Sequence, residues 1–540
     1  MATTEPALTA MPPAPSSPKR LWWVPSVFAL TVGLVLFATT FIISIKADDI
    51  WWHLKTGEYI LRNLHMPDQN TFSFTAPAYP WLPQEWLAEV LFFVIYQLLG
   101  SYGLIGFGIL LNGLCCALIF RLTQRSGCSP YLSAIVTLLA VLMMLSNFSL
   151  RPYLFGNIFF VMVLYVMEQP TTGGRMRPVM MFLIFTGWAN FHSSFIAGLA
   201  LMFLYLVSAI AAHVRTADAP GKNVRALGLD LFVASIACMA TPNHIYGFIF
   251  PMHYIQQAFN HQLSFLTNMS EWQSADFSSP LGRMITFYLM FCGFALLGSA
   301  LTPNPAHIGL LVAFSFFSYT SIRNIPLLGI AASPLLARHL PATIAHAFQL
   351  MKPPRIKNNI MKRWYTSLMA LDQRAGNWLL PGLLMIVLLT TFLAPKENPI
   401  SYRSLTGVEE LSDLSPQFYP KELIRQIHLH GADHRLFNYF SWGGAFIWSL
   451  YPTVRVFIDQ RNDCYPPKVF NDYFAVHELE PDWQAVLDRW GIDLIAYPRG
   501  ERLTTKLLQD LYVNWKLEYF GPDGVLFSRL AQNQPAPDEP

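Results

Sequence analysis

Lys46-Ala47-Asp48-Asp49-Ile50-Trp51-Trp52-His53-Leu54-Lys55-Thr56-Gly57-Glu58 is the stretch on which the reading of the fold turns. Two adjacent carboxylates follow directly on a long apolar run, and two tryptophans and a histidine come straight after them. Charge beside a bilayer is costly unless it has a function or a partner. Tryptophan favours the boundary between membrane and water. The stretch therefore predicts a short helix, Ile50 to Asn63, lying flat on the membrane with its acids at the leading edge. These acids are read as serving a membrane-embedded active site.

Upstream, Lys19 and Arg20 precede the apolar run Leu21 to Ile45. At about 25 residues that run is too long for the core of a cleaved signal, so it reads as a retained anchor. The Pro/Ala/Ser/Thr-rich segment before it, residues 1–18, reads as a disordered tail in the cytoplasm. Of the 540 residues 53% are hydrophobic and only 13% charged, roughly half the charged share of a soluble protein. The fold class is a polytopic α-helical membrane protein of about eleven spans, with a C-terminal soluble α/β domain. A net charge of +3 gives no sign of a nucleic-acid partner. The six cysteines show no metal-ligand spacing.

Basic loops stay cytoplasmic, which orients the rest. The first span ends at the acid pair, placing the loop 46–86 outside, in the periplasm of a bacterium. Further spans are expected within Leu87 to Phe120, Tyr131 to Leu150, Tyr153 to Met167, Pro178 to Trp188, Ser194 to Ala212 and Leu229 to Thr241. A long outer loop, Pro242 to Ser279, precedes spans over Arg283 to Leu301, His307 to Ile322, Ile325 to Leu335 and Leu379 to Leu393. Inner loops then carry Arg121, Arg125, Arg175, Arg177, His213, Arg215 and the cluster from Arg338 to Arg374. Residues 19–394 form the membrane domain and 395–540 a periplasmic α/β domain. In the latter, Gly521-Pro522-Asp523-Gly524 between Lys516 to Tyr519 and Val525 to Arg529 predicts a hairpin.

A carboxylate can deprotonate an acceptor hydroxyl, or hold a divalent cation against a phosphate leaving group. Spacing leaves open whether one of Asp48 and Asp49 does this while the other caps the helix, or whether both are caps. A second set of polar residues gathers at outer span ends: Gln84, Glu85, Arg151, Asn190, His192, Asn243, His244, Glu271, Asp276, Arg323 and Asn324. Interface anchoring explains each alone, but their one-sidedness favours a site. Arg151 and Arg323 suit a phosphate through their forked donors, and His192, Glu85, Glu271 and Asp276 are expected to line the cavity. Gln84, Asn190, Trp52 and His53 complete the substrate-binding set. The metal ligands stay unassigned. Asp459-Gln460-Arg461-Asn462-Asp463 follows an apparent strand and reads as a salt-bridge cluster of a folded domain.

The acid pair after the first span, the helix in the first outer loop, the many spans and the outer C-terminal domain together resemble the GT-C-fold glycosyltransferases. That superfamily includes protein O-mannosyltransferases, oligosaccharyltransferases and aminoarabinose transferases, and the chain looks most like bacterial members. The resemblance rests on Asp49-Ile50-Trp51-Trp52-His53-Leu54-Lys55-Thr56-Gly57, Gln84-Glu85-Trp86-Leu87, Trp188-Ala189-Asn190-Phe191-His192, Glu271-Trp272-Gln273-Ser274-Ala275-Asp276-Phe277, Arg323-Asn324-Ile325-Pro326 and Val456-Phe457-Ile458-Asp459-Gln460-Arg461. It implies a polyprenyl-phosphate-linked sugar donor, an acceptor glycan, lipid or protein, and Asp49 as catalytic base with Asp48 second. Two other classes fit a membrane chain of this kind: a flippase for lipid-linked saccharide, and a non-catalytic envelope assembly protein. Transporters tend to show internal repeats and polar groups at the bilayer midplane. No repeat is visible here, and the polar residues cluster at span ends.

Overall fold

The computed structural model describes residues 21–42, 49–145, 149–169, 176–215, 222–259, 270–350, 417–511 and 513–530, with short pieces between 363 and 376. The tail 1–18, Asp48, Arg175, His261 and the eleventh span lie outside the described residues. The chain opens with β1 (Leu21–Pro25), paired in parallel with β2 (Ala375–Gly376), and α1 is Val27–Ile42. The first span is thus shorter than its apolar run. Proline at position 25 disfavours helical geometry in the residue before it.

The helices that follow are α2 (Ile50–Asn63), α3 (Trp86–Arg125), α4 (Pro130–Met144), α5 (Tyr153–Met167), α6 (Met176–Phe191) and α7 (Phe195–Arg215). After them come α8 (Lys222–Ala237), α9 (His244–Phe259), α10 (Pro280–Leu297), α11 (Pro305–Thr320), α12 (Ile325–Ala331) and α13 (Ser333–Leu350). Among the described residues α3, α7 and α10 are long and apolar enough to cross a membrane. A bent pair joined at 50°, built on α12 and α13, adds a fourth if it is one span. Helices α4 and α5 have 15 residues each, a rise of about 23 Å against a hydrocarbon core of about 30 Å. The described helices therefore do not confirm a count of eleven spans.

Three local readings change. Span ten continues past Leu335 into α13, so Arg338 sits in a helix and not in a loop. Arg177 is buried and pairs with Asp230 of α8 at 2.7 Å, so it is a helix-to-helix tie and not a loop charge. Much of the outer loop after span seven is the helix α9, which carries Pro251 inside it.

The C-terminal part contains α14 (Lys421–His430), β3 (Arg435–Asn438), α15 (Gly443–Leu450), β4 (Arg455–Val456), α16 (Pro467–His477), α17 (Trp483–Trp490), β5 (Leu494–Tyr497), α18 (Arg502–Gln509), β6 (Trp515–Gly521) and β7 (Gly524–Arg529). The strands form one sheet in the order β4-β3-β5-β7-β6; β3 pairs in parallel with β4 and β5, and the last three run antiparallel. The hairpin falls where the Gly-Pro-Asp-Gly run predicts it. Its Asp523 also accepts from the Glu422 and Leu423 amides at 2.8 and 3.0 Å, satisfying free N–H groups at the start of α14.

Helix α2 has the bounds the sequence predicts, but its apolar face is covered by protein. Ile50, Trp51, Leu54 and Ile60 are buried, and α2 packs between α3 and α15. Trp51 is 2% exposed and its ring lies 4.5 Å from that of Tyr419. It is a domain contact, not a bilayer anchor. The approach to α3 is close enough that a Cβ on Gly57 would fall 2.2 Å from the Glu89 carbonyl oxygen. Only glycine allows that separation.

The outer loop after α2 is stitched to the sheet. The Phe74 amide donates to Val456 O at 3.2 Å and the Val456 amide to Phe72 O at 3.3 Å, so the loop extends the β4 edge. Asn70 Nδ2 donates to Cys464 O at 3.1 Å, and Thr75 Oγ1 to Phe457 O at 2.7 Å. Arg461, 1% exposed, forks onto Asp459 at 2.8 and 2.7 Å and reaches Asn70 Oδ1 at 3.0 Å. Its guanidinium lies 4.8 Å from the Phe72 ring and 4.5 Å from that of Trp81. The expected salt bridge is present, and it holds the membrane part to the sheet.

Candidate active site

Two chains of charge meet at the start of α2. The first begins at Asp49, the residue before α2, whose side chain makes no capping hydrogen bond. It pairs instead with Arg151 at 2.8 Å. The other arm of Arg151 donates to Glu271 at 2.9 Å, and Arg323 stands 4.0 Å from the second Glu271 oxygen. Arg151 precedes Pro152 at the start of α5, with its amide on Ser149 O at 2.9 Å. Glu271 and Arg323 sit on two short 3-10 turns, Ser270–Trp272 and Ile322–Asn324. Ser321 Oγ donates to Glu271 O at 2.9 Å and the Ile322 amide to Gln273 O at 3.2 Å, locking the turns together. The Arg323 guanidinium lies over the Trp272 ring at 4.4 Å.

The second chain alternates acid and imidazole. His192 approaches Glu85 at 3.0 Å, Glu85 approaches His53 at 3.8 Å, and His53 meets Glu89 at 3.2 Å. The Ser194 amide donates to His192 Nδ1 at 3.0 Å, which makes that nitrogen the acceptor and places the ring proton on Nε2, facing Glu85. Trp52 covers His53, their ring centroids 3.6 Å apart. Burial pushes the Glu85 carboxyl up. His192, His53 and Arg323 outweigh it and hold the group below the usual carboxylate range. Glu85 therefore stays ionised and couples the two chains.

The C-terminal part contributes Asp463, two residues after Arg461. Burial pushes this carboxyl up to about 6, with Glu85 and Asp459 adding to the rise and its own backbone amide and Arg461 opposing it. A raised carboxyl holds its proton more tightly when folded. Its stabilising share is full below about pH 4 and is lost as the pH climbs through about 6. Thermal unfolding of wild type across that window should therefore lose about 1–2 kcal/mol that Asp463→Asn does not lose, allowing for the partial exposure of the group.

Asp49, Arg151, Glu271, Arg323, Glu85, His192, His53 and Trp52 thus come together. Others of the expected set do not. Asn190 is spent on structure, accepting from Trp86 Nε1 at 2.9 Å and donating to Thr186 O and Ala240 O, each at 2.8 Å. Asp276 is exposed and closes a turn, accepting from the Ser278 amide at 2.8 Å and Ser278 Oγ at 2.7 Å. It does not line a cavity. Gln84 is half-buried beside Gly247 of α9. Arg151 spends its fork on two acids, whereas Arg323 is 37% exposed and 4.0 Å from the nearer Glu271 oxygen.

Sequence reasoning missed Glu89, and read Asp463 only as part of a salt-bridge cluster of the C-terminal domain. Glu89 follows Glu85 by four residues and so shares its helix face, a signal that was present. No local signal places Asp463 near Glu85, which is 378 residues away, although Arg461 and Asp459 lie beside it in the chain.

Among the described residues no group of three or more His, Cys, Asp or Glu could hold a metal ion. The Arg151 guanidinium stands between the Asp49 and Glu271 carboxylates, the pair nearest to offering a site.

No protein-family model matches the chain, and no curated protein does either. Solved structures do. The crystal structure of the Archaeoglobus fulgidus oligosaccharyltransferase, tethered to an acceptor peptide containing the NVT sequon, superposes with a TM-score of 0.51 at 11% identity, covering 94% of this chain and 74% of that one. The Archaeoglobus fulgidus oligosaccharyltransferase AglB with an inhibitory peptide and a dolichol-phosphate gives 0.49 at 10% identity, covering 94% and 75%. The same organism's enzyme with Zn and sulfate gives 0.49 at 11%, covering 93% and 73%. At this identity the likeness is one of fold.

Proposed function

Taking as premise that the chain carries the GT-C membrane glycosyltransferase fold, we propose that it moves a sugar from a polyprenyl-phosphate donor to an acceptor hydroxyl or amine. The reaction takes place on the periplasmic side of a bacterial inner membrane. Residues 19–394 are the membrane domain, and 395–540 close the site from outside. Asp49 takes the proton from the acceptor while the acceptor oxygen or nitrogen attacks the anomeric carbon. The bond from that carbon to the phosphate oxygen breaks, and its electron pair leaves with the phosphate. Arg323, backed by Trp272, steadies the departing charge. Glu271, Glu85, His192, His53 and Trp52 surround the reacting groups, and Asp48, the preceding residue in the sequence, is the second candidate for the base.

The observation that carries this reading is the convergence of Asp49, Arg151, Glu271 and Arg323 from four separate elements into one partly exposed cluster. Support also comes from the fold shared with an enzyme whose structure holds an acceptor peptide. The test uses purified full-length protein in nanodiscs, a polyprenyl-phosphate donor labelled in its sugar, and an envelope extract as acceptor. Label leaving the lipid as free polyprenyl phosphate accumulates is the expected result. Intact donor moved across the bilayer of a proteoliposome would identify a flippase instead. Neither event would leave a non-catalytic assembly role.

A further inference from the structure

Arg151 grips both acids of the first chain, Asp49 at 2.8 Å and Glu271 at 2.9 Å. We propose that this guanidinium is a built-in cation, standing between the two carboxylates where a divalent metal ion would otherwise sit. On this view Arg151 is the positioning residue for Asp49. Three observations carry the proposal.

The first is geometric. A planar guanidinium with forked donors can hold two carboxylates at once and fix their orientation, as a bridging ion would. The second is charge. Asp49 and Glu271 bring two negative charges to the set of four, and Arg151 and Arg323 bring two positive ones. A dication entering between Asp49 and Glu271 would have to displace the Arg151 guanidinium from oxygens it needs as ligands. The third is anchorage. Arg151 is 22% exposed on its side chain, its amide is bound to Ser149 O, and Pro152 fixes the chain behind it. The cation is therefore held by the fold and not borrowed from solvent.

The inference rests on the proposed function only in treating Asp49 as the working acid. Its test does not require sugar transfer. Mn2+ binding is measured by electron paramagnetic resonance on the full chain in nanodiscs, for wild type, Arg151→Ala and the double variant Arg151→Ala/Asp49→Asn. Removing the guanidinium takes away the cation that bridges the two carboxylates, so Arg151→Ala should bind Mn2+ at least about tenfold more tightly than wild type. The added Asp49→Asn change should abolish that gain. Arg151→Gln, which keeps much of the side-chain volume, takes its place should Arg151→Ala fail to fold. Wild type binding Mn2+ as tightly as the variant, with Asp49→Asn removing it, would overturn the proposal. So would a folded Arg151 variant that gains no binding. A chain that transfers no sugar would still give these titrations, so the two ideas fail separately.

Discussion

Asp49→Asn is expected to lower sugar transfer from a polyprenyl-phosphate donor by at least about a hundredfold, while the protein stays folded. The chemical part follows from the loss of the base. An amide cannot accept the acceptor's proton, and positioned proton transfer is worth about 10²–10⁴ in rate. The structural part follows from exposure. Asp49 and Arg151 are each about one-fifth exposed, and ion pairs open to water contribute at most about 1 kcal/mol. Asparagine can still accept a hydrogen bond from Arg151. Turnover measured beside the unfolding temperature separates the two effects: turnover should collapse and the temperature should barely move. Unchanged turnover in folded protein would remove the base from the scheme.

Arg461→Ala should have the opposite profile, a large loss of stability. Arg461 and Asp459 both have fully buried side chains. Removing one member of a buried pair leaves an uncompensated charge in a low-dielectric interior, at a cost of about 3–5 kcal/mol. Two aromatic rings also lose their cation, and Asn70 loses a donor. Arg461→Lys should restore little, since an ammonium cannot fork onto Asp459 and reach Asn70 together. Hydrogen exchange offers the clearest readout. Protection should drop around Asn70 to Thr75 and in the turn after β4, on both sides of the seam at once. A loss confined to the sheet would mean that Arg461 serves only its own domain.

How much of this was legible depended on how local each cause is. Helix α2 was read with its correct ends because its apolar spacing and flanking polar residues are all within the segment. What covers it was not. Trp51 obeys the same pattern whether it meets lipid or Tyr419, and the choice depends on a partner far along the chain. The hairpin β6–β7 was legible because glycines and proline dictate a turn by themselves. Arg151, Glu271 and Arg323 were read as neighbours from their shared side of the membrane, and they meet. Their assigned roles did not follow, because composition cannot say that an arginine's donors are already taken by two acids. Asn190 and Asp276 stand apart from the cluster for a related reason. Asn190 is bonded by the Trp86 indole and backbone carbonyls, and Asp276 by the Ser278 amide and hydroxyl, a fate that one-sidedness along a sequence does not reveal. The spans were counted by apolar runs, and several runs give helices shorter than a bilayer.

The most direct test of the central claim, that the acids and arginines face one pocket open to the exoplasmic side, is cysteine accessibility in intact cells. The six native cysteines are all buried, so background labelling by a membrane-impermeant maleimide should be low. Arg323→Cys and Glu271→Cys are predicted to label in intact cells, and Arg215→Cys, at the end of α7, only after permeabilisation. Labelling of Arg323→Cys and Glu271→Cys from opposite sides of the membrane, or of both only from the cytoplasm, would contradict the account.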